Sequence, residues 1–414
     1  MTTTKPWHVT LRGAAALAAA MGIGRFVFTP ILPLMHAQAG LTVQLGSTLA
    51  TANYVGYLIG ALTGIALPKV VRSQAVLRAS LIVIIATLAL MPTTHSPAAW
   101  IALRLLAGIA SALVFVIAVS AVLTALRAHG QHLTGWAFGG VGAGIALSGA
   151  LVLALQGTNT WREAWWLAAA LTLVLTIPAW MLRTDSVDTT TSPVPEAQPG
   201  RHRSPQHFAA LFTAYTLEGI GYIIAGTFLV AAIDQSAPRW AGTAAWVLAG
   251  LAALPSSALW AWLSRVWSRP TLLAAALLIQ AVGIALPALL GGIGPALVSA
   301  TAFGATFVGI STLTLATGAH LGTPRAVAIL TTGYSVGQIA GPLIVTPLLH
   351  NGYHQALLIA AAILLAAAAA AGLARHRFPH HLGPLPSRVL RNRRAAALTD
   401  TGITQIAEIV RTRG

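Results

Sequence analysis

The stretch GIGRF, from Gly22 to Phe26, returns 197 positions later as GIGYI, from Gly219 to Ile223, in a chain dominated by long apolar runs. Other residues repeat at the same offset: Arg72 returns as Arg269, Gly140 as Gly337 and Gly144 as Gly341. Because this register holds without a gap from one end of the chain to the other, we infer two copies of one helical unit. In a protein that crosses the membrane many times, such a duplication is typical of a secondary transporter whose substrate site lies between the halves.

The composition places the chain in a membrane. Of its 414 residues, 56% are hydrophobic and only 8% are charged, which is too few charges to cover a soluble protein of this length. The apolar residues form runs long enough to cross about 30 Å of hydrocarbon as helices. We predict twelve helices, at residues 13–37, 45–67, 76–92, 98–125, 134–156, 163–182, 208–233, 242–263, 271–291, 295–318, 326–349 and 353–373. The first run is too long for a signal peptide, so we predict that it is retained.

The formal net charge of +16 follows membrane topology rather than nucleic-acid binding. With the N-terminus inside, only Arg162 and Arg239 fall on the outer side, while Arg25 and Arg104 fall within helices. Every other lysine and arginine lies in a cytoplasmic loop, at a cytoplasmic helix end or in a tail, as the positive-inside rule requires. We therefore predict a multi-pass protein of the cytoplasmic (inner) membrane with both termini in the cytoplasm. It is expected to contact lipid and to have no nucleic-acid partner.

One change of composition divides the chain into two halves. Residues 184–206 are rich in Ser, Thr, Pro and charge, which is typical of a flexible linker. We predict a six-helix bundle over residues 1–183, a cytoplasmic linker over 184–206, a second bundle over 207–374 and a basic cytoplasmic tail over 375–414. Because each half has an even number of helices, a pseudo-twofold axis along the membrane normal should relate them. For the tail, an amphipathic surface helix and a disordered segment both remain open.

Three ionisable side chains lie well inside predicted helices: Arg25, Arg104 and Glu218. A charge at the bilayer centre costs about 2.5–3.5 kcal/mol on insertion scales, so each should face a wet cavity or a partner. Glu218 is the only carboxylate placed to carry a proton at membrane depth, and we predict a proton as the coupling ion. In repeat register, Arg25 and Glu218 lie close together on equivalent helices. We hypothesise an ion pair between them in one conformation; the alternatives are two separately solvated charges, or a Glu218 held by hydroxyl groups such as that of Thr216.

Arg104 permits two interpretations. It stands in the string IALRLLAGIASA, which begins at Ile101 in the fourth predicted helix. It would either have a functional role, holding an anionic substrate or biasing the protonation of a neighbouring carboxylate, or act as a structural arginine that donates hydrogen bonds to backbone carbonyls of the first helix. The sequence leaves both open.

Small residues at four-residue spacing predict close packing of the fifth and eleventh helices. The runs are GWAFGGVGAGIALSG, from Gly135 to Gly149, and GYSVGQIAGP, from Gly333 to Pro342. Such seams also allow one helix to rock against another, and the proline predicts a kink. The candidate packing and gating residues are Gly22, Gly24, Gly140, Gly144, Gly219, Gly221, Gly337, Gly341 and Pro342.

The sequence lacks the motifs of several other functions. It has no Gly-rich loop ending in Gly-Lys-Ser/Thr, no HExxH or GxSxG motif and no Thr-Val-Gly-Tyr-Gly potassium filter. It also has no cysteine, which excludes disulfides and thiolate metal sites. We predict no catalytic residue, no cofactor and no metal. The alternative from another class is a membrane-embedded enzyme or lipid-modifying protein, which would need a cluster of catalytic polar residues at one membrane depth.

Several strings carry a family likeness. They are GIGRFVFTPILPLM (Gly22–Met35), RLLAG with Arg104, EGIGY (Glu218–Tyr222), Thr227-Phe228, TFVGI (Thr306–Ile310) and GQIAGP (Gly337–Pro342). With the two sets of six helices, they resemble the major facilitator superfamily, and within it the YbfB/YjiJ-type branch. The resemblance implies an all-α fold of twelve transmembrane helices that moves a solute by alternating access, coupled to an ion gradient. The loops GIALPKVVR (Gly64–Arg72) and SRVWSR (Ser264–Arg269) depart from the superfamily pattern by having no acidic residue, so its carboxylate-centred lock is not expected here.

We predict a secondary active transporter for a small organic solute, working as a monomer and not as an enzyme. By the resemblance, helices 1, 4, 7 and 10 line its cavity. Its predicted charged groups are Arg25, Glu218 and Arg104, and its predicted walls are Tyr54, Tyr57, Tyr222, Tyr334 and Gln338. Two arginines against one glutamate favour an anionic or zwitterionic substrate. Export of an amphipathic drug-like compound and uptake of an organic acid both remain open.

Overall fold

A computed structural model of the chain shows a bundle of membrane-length helices. The structure describes residues 6–126, 129, 131–155, 160–184, 205–321, 323, 325–376 and 378. Twelve helices in this part of the chain are long and apolar enough to cross a membrane, which confirms the predicted fold class. These residues include no β-strand. Most of the predicted linker and nearly all of the predicted basic tail lie outside the described residues.

The helices alternate in direction, so their ends define two faces of the bundle. They are α1 (Pro6–Ala39), α2 (Val43–Ala66), α3 (Gln74–Leu90), α4 (Pro97–Ala125), α5 (Gln131–Ala154), α6 (Trp161–Trp180), α7 (Pro205–Asp234), α8 (Arg239–Leu263), α9 (Arg269–Leu290), α10 (Ile293–His320), α11 (Ala326–Val345) and α12 (Tyr353–Arg375). Short helical turns follow α2, α3 and α11, at Pro68–Val71, Met91–Thr93 and Thr346–Asn351. We call the face where α1 begins the N-side and the opposite face the far side.

Hydroxyl side chains determine where several helices begin. The Thr42 hydroxyl accepts a hydrogen bond from the backbone N–H of Leu45 at 3.2 Å and so satisfies a free donor at the start of α2. At α6, Thr160 and Glu163 form a reciprocal capping box. Gly40, with a φ of 65°, ends α1 in the left-handed conformation that glycine adopts without strain. The same capping contact begins three further helices, at Ser73, Ser96 and Ser268.

Glycines join equivalent helix pairs inside the two halves. A Cβ placed on Gly22 of α1 would lie 2.4 Å from the Cα of Gly144 on α5, so no side chain fits there. In the second half, a Cβ on Gly337 of α11 would lie 2.3 Å from the backbone oxygen of Thr216 on α7. Under the 197-residue repeat, the pair α1–α5 corresponds to the pair α7–α11. This matched packing is expected of a duplicated unit.

The two halves contact each other through α5 with α8 and through α2 with α11. The first seam is also lined by glycine: a Cβ on Gly250 would lie 2.2 Å from the backbone nitrogen of Ala146. Nearer the centre, the Thr29 hydroxyl of α1 donates to the backbone oxygen of Gly226 on α7 at 2.5 Å. Thr29 and Gly226 are each other's counterparts in the repeat. Their contact therefore lies at the pseudo-twofold axis.

One segment breaks the symmetry between the halves. Residues Ala18–Arg25 of α1 are π-helical, and the N–H of Phe26 donates to the oxygen of Met21, five residues earlier. The equivalent Gly219 and Gly221 lie within the regular α-helix of α7. Such wide turns are rare and are often found at functional sites. Here the wide turn ends at Arg25.

Candidate substrate and proton site

Arg25 reaches from α1 across the interface between the halves. Its Nη2 donates a hydrogen bond to Oε1 of Gln338 on α11. Two rings of α2 lie against the guanidinium, whose Cζ is 4.3 Å from the ring centroid of Tyr57 and 5.1 Å from that of Tyr54. Arg25 is only 3% exposed, and its Nε has no hydrogen-bond partner among the described residues. The structure thus brings four of the predicted site residues together.

Glu218 is fully buried on α7, and neither carboxylate oxygen has a hydrogen-bond partner in the described part of the chain. It lies one helical turn from Tyr215 and one from Tyr222, on the same helix face. The hypothesised ion pair with Arg25 is absent from this conformation, because the guanidinium donates to Gln338 instead. The hydroxyl of Thr216 does not hold the carboxylate either. A buried cation and a buried acid therefore lie in one region without neutralising each other.

Arg104 of α4 holds the backbone of α1 beneath Arg25. Its Nη2 donates to the carbonyl oxygen of Arg25 at 3.1 Å, and its Nη1 donates to that of Gly24 at 3.4 Å. The side-chain amide of Asn53 on α2 in turn donates to the carbonyl of Arg104 at 3.0 Å. Of the two interpretations of Arg104, this conformation has the geometry of the structural one. The side chain ties together the carbonyl groups at the end of the wide turn.

Five rings of the second half form a nearly parallel stack that we call the aromatic wall. Its members are Tyr215 and Tyr222 of α7, Phe303 and Phe307 of α10, and Tyr334 of α11. Tyr334 lies between Tyr215 and Tyr222, with centroid distances of 4.4 and 5.4 Å and interplanar angles of 13° and 11°. Tyr222 then stacks on Phe307 at 5.5 Å and 7°, and Phe307 on Phe303 at 5.8 Å and 5°. Two of the predicted wall residues thus belong to one continuous surface.

The first half meets this wall next to the arginine. Phe26 directly follows Arg25, and its ring contacts Phe307 edge-on at 6.0 Å and Trp246 of α8 at 6.4 Å. The indole Nε1 of Trp246 is buried and has no partner among the described residues. Gln338, which accepts from Arg25, lies one turn beyond Tyr334 on α11. The guanidinium and the aromatic wall therefore adjoin at the interface between the halves.

Hydrogen bonds join the halves at the far side. The hydroxyls of Ser47 on α2 and Thr346 after α11 are 2.5 Å apart. The hydroxyl of Tyr353 at the start of α12 is 3.0 Å from Nε2 of His36 near the end of α1. We call these four residues the far-side latch. Both contacts connect the first half to the second at the far side.

A family model matches the sequence, and a solved structure shares the fold. A family model described as "Uncharacterised MFS-type transporter YbfB" matches residues 17–372. The chain belongs to this transporter family. A crystal structure of the nucleoside transporter NupG has a TM-score of 0.68 to it, at 13% identity, over 89% of this chain and 100% of that chain. At that identity the likeness shows the fold alone. No curated protein sequence matches the chain.

Membership of the YbfB-type family excludes the enzyme alternative, but several residues at the site were missed by the sequence analysis. Phe303, Phe307 and Trp246 were not singled out, because an aromatic residue in an apolar helix usually packs in the core or against lipid. Phe307 does lie in TFVGI, one of the strings that carried the family resemblance. Two fully buried polar residues of membrane spans were also missed: Asn53, which donates to Arg104, and Gln280 of α9, which makes none of the site contacts described above. An uncharged polar residue inside a span is the indication that would have found them.

Proposed function

We propose that this YbfB-type transporter is a proton-coupled secondary carrier for a small organic solute. The observation that carries the proposal is the state of Glu218, a buried carboxyl group with no hydrogen-bond partner among the described residues, on the same face of α7 as Tyr222. An ionised carboxylate in such surroundings is costly, and protonation removes that cost. Arg25, at the interface between the halves, is a buried cation that pairs with no carboxylate of the described residues. Proton and solute thus have separate groups in one region.

The proposed cycle uses the charge of Glu218 to control movement of the halves. With Glu218 protonated and solute at Arg25, the interface carries less uncompensated charge, and the halves rock about the glycine seams. After the solute and the proton are released, Glu218 is ionised and Arg25 is free, and the site returns to its starting state. The hypothesised Arg25–Glu218 ion pair belongs to this second state. Because the charge of the site changes when solute and proton bind, both ligands shift the same conformational equilibrium, and their binding is coupled.

We further propose that the N-side faces the cytoplasm and that the carrier acts as a monomer in the cytoplasmic membrane. The support for this orientation is the concentration of lysine and arginine in the loops of one side. The far-side latch then faces outward. Under this proposal, the latch contacts hold the halves together on the outer side.

The proposal is tested with purified protein in proteoliposomes. The solute is the compound that most raises the melting temperature in a panel of organic acids and amphipathic drugs, since a ligand stabilises the state that binds it. An imposed pH gradient should drive its accumulation, and preloaded vesicles should show counterflow, which a channel does not. Accumulation that ignores the pH gradient would contradict the coupling.

Substitution of the acid separates coupling from movement. Glu218→Gln keeps the shape of the side chain but cannot ionise, so we expect loss of gradient-driven accumulation, by about tenfold or more if at least 1.4 kcal/mol of driving force is lost. Counterflow, which needs no net proton movement, should persist. The matched control is Glu163→Gln at the start of α6, which lies outside the proposed site and should retain both activities. If Glu218→Gln accumulated the solute as the wild type does, the proton would have to be carried by another group.

A further inference from the structure

We propose that the site takes a planar aromatic monoanion, with its carboxylate on the unpartnered Nε–H of Arg25 and its ring against the aromatic wall. The inference depends on the proposed function at one point, where the ligand is called a transported solute. The binding class itself is argued from the side chains around Arg25 and is tested by binding alone.

The charge of the ligand follows from the donors around Arg25. The rings of Tyr57, Tyr54 and Phe26 lie 4.3–5.2 Å from the guanidinium Cζ, and Nη2 donates to Gln338. The Nε–H is buried and has no partner among the described residues. Because Gln338 uses its oxygen to accept from Arg25, its free Nε2 is a second unpartnered donor. A buried site with spare N–H donors and an uncompensated positive charge is completed by an anion that accepts hydrogen bonds.

A further donor extends this set. The Trp246 Nε1–H is buried without a partner, and its ring contacts Phe26, the residue next to Arg25. A carboxylate has two oxygens with several acceptor positions, whereas a cation or a hydrogen-bond donor would find no counterpart at these atoms. Glu218 does not fill this role in this conformation, because its own oxygens make no hydrogen bond to the described residues.

The shape of the ligand follows from the aromatic wall. Tyr334, Tyr222, Phe307 and Phe303 hold their rings within 5–11° of parallel from one ring to the next. Side chains from three different helices thus share one ring orientation. A flat ring that inserts with that orientation gains offset stacking, whereas a saturated ring of similar size gains only burial. The wall adjoins Arg25 through Phe26 and Gln338, so a carboxylate bonded directly to a ring reaches both features.

The experiment uses matched trios of probes on the full-length protein in detergent at pH 7.5. One trio is benzoate, benzamide and cyclohexanecarboxylate, and the larger one is 2-naphthoate, 2-naphthamide and decahydro-2-naphthoate. Calorimetry and melting-temperature shifts report binding. At one of the two sizes at least, we expect the aromatic acid to bind, the amide to bind about tenfold or more weakly, and the saturated acid to bind several-fold more weakly.

Each comparison can overturn one part of the proposal. Equal binding of acid and amide would exclude the anion, and equal binding of aromatic and saturated acid would exclude the ring. No binding of either aromatic acid would overturn the proposal as a whole. These results need no variant, so they stand even if a substitution in the site prevents folding.

Variants then assign the two features to their residues. Arg25→Gln should remove the preference for benzoate over benzamide, and Phe307→Leu should remove the preference for benzoate over cyclohexanecarboxylate while the charge preference remains. The matched controls are Arg78→Gln, whose guanidinium stacks on Trp180 far from the site, and Phe208→Leu near the start of α7. Both should bind like the wild type. Retained preferences in Arg25→Gln and Phe307→Leu would exclude these residues as the determinants.

Failure of this inference and failure of the proposed function are distinguishable. If an aromatic acid binds but no pH gradient drives its accumulation, the binding class stands and the coupling fails. If another compound shows proton-driven accumulation and no aromatic acid binds, the carrier stands and this inference falls.

Discussion

At the residue scale, the site depends on one arginine that supports another. Arg104 donates to the carbonyl groups of Gly24 and Arg25. These carbonyl groups lie at the end of the π-helical turn of α1, beside the site. Its own guanidinium is 2% exposed. A buried donor of this kind is hard to replace, because the fork of a guanidinium serves two acceptors at once, whereas an ammonium is a point charge. We therefore regard Arg104 as a positioning residue for Arg25.

Replacing this arginine by lysine should cost stability. Arg104→Lys keeps the charge but loses the fork, so we expect the free energy of unfolding to fall by about 2 kcal/mol, the size of a hydrogen bond to a charged group. The measurement is thermal unfolding of the purified protein in detergent. Arg162→Lys, at an exposed arginine, is the control and should leave the melting temperature unchanged. An unchanged melting temperature in Arg104→Lys would mean that these contacts contribute nothing.

At the element scale, glycine seams set how closely helices approach and how freely they shift. The seam between α5 and α8 connects the halves, and Gly142 and Gly250 face the opposite backbone there. Backbone-to-backbone contact gives a smooth surface with no side chain to interlock. A seam of this kind between halves suits a carrier whose halves must move relative to each other.

A single methyl group should disturb this seam. A Cβ on Gly250 would meet the backbone nitrogen of Ala146 at 2.2 Å, so Gly250→Ala forces the helices apart. We expect a loss of about 1–3 kcal/mol in stability, as for other overpacked contacts, together with a lower transport rate. The matched control is Gly372→Ala in α12, where a Cβ meets nothing within 4 Å. If both variants melt and transport alike, close approach at this seam is not required.

At the scale of the whole molecule, closure of the far side is a property of the two halves together. The far-side latch joins α1 and α2 of the first half to the end of α11 and to α12 of the second. In alternating access these contacts must break before a solute can enter or leave at the far side. The latch is therefore a reporter of conformation as well as a stabilising contact.

Cross-linking tests this directly. The chain has no cysteine, so Ser47→Cys with Thr346→Cys introduces the only thiols, at positions whose hydroxyls are 2.5 Å apart. Oxidation should form a disulfide, detected as loss of maleimide labelling, and should stop transport until reductant is added. The single variants are the controls. Undiminished transport by the cross-linked protein would show that the far side need not open here.

The sequence predicted the fold well because apolar length and the repeat are both large-scale features. It also named Arg25, Gln338, Tyr54 and Tyr57, since each is a polar or aromatic residue near the middle of a span. It did not predict which groups would touch. Arg25 is long enough to reach either α7 or α11, and only the packed structure places it on Gln338. The aromatic wall escaped because ring orientation depends on three helices at once.

The wide turn in α1 has a consequence for recognition. Two strictly identical copies around an axis would present every group twice, and such a site best fits a ligand that is itself symmetric. Here one copy carries an arginine on a locally unwound backbone, while its counterpart Tyr222 stays on a regular helix and stacks within its own half. The two halves thus present different groups at the centre, a cation from one and an aromatic ring from the other, and we expect an unsymmetrical solute to bind there in a single orientation.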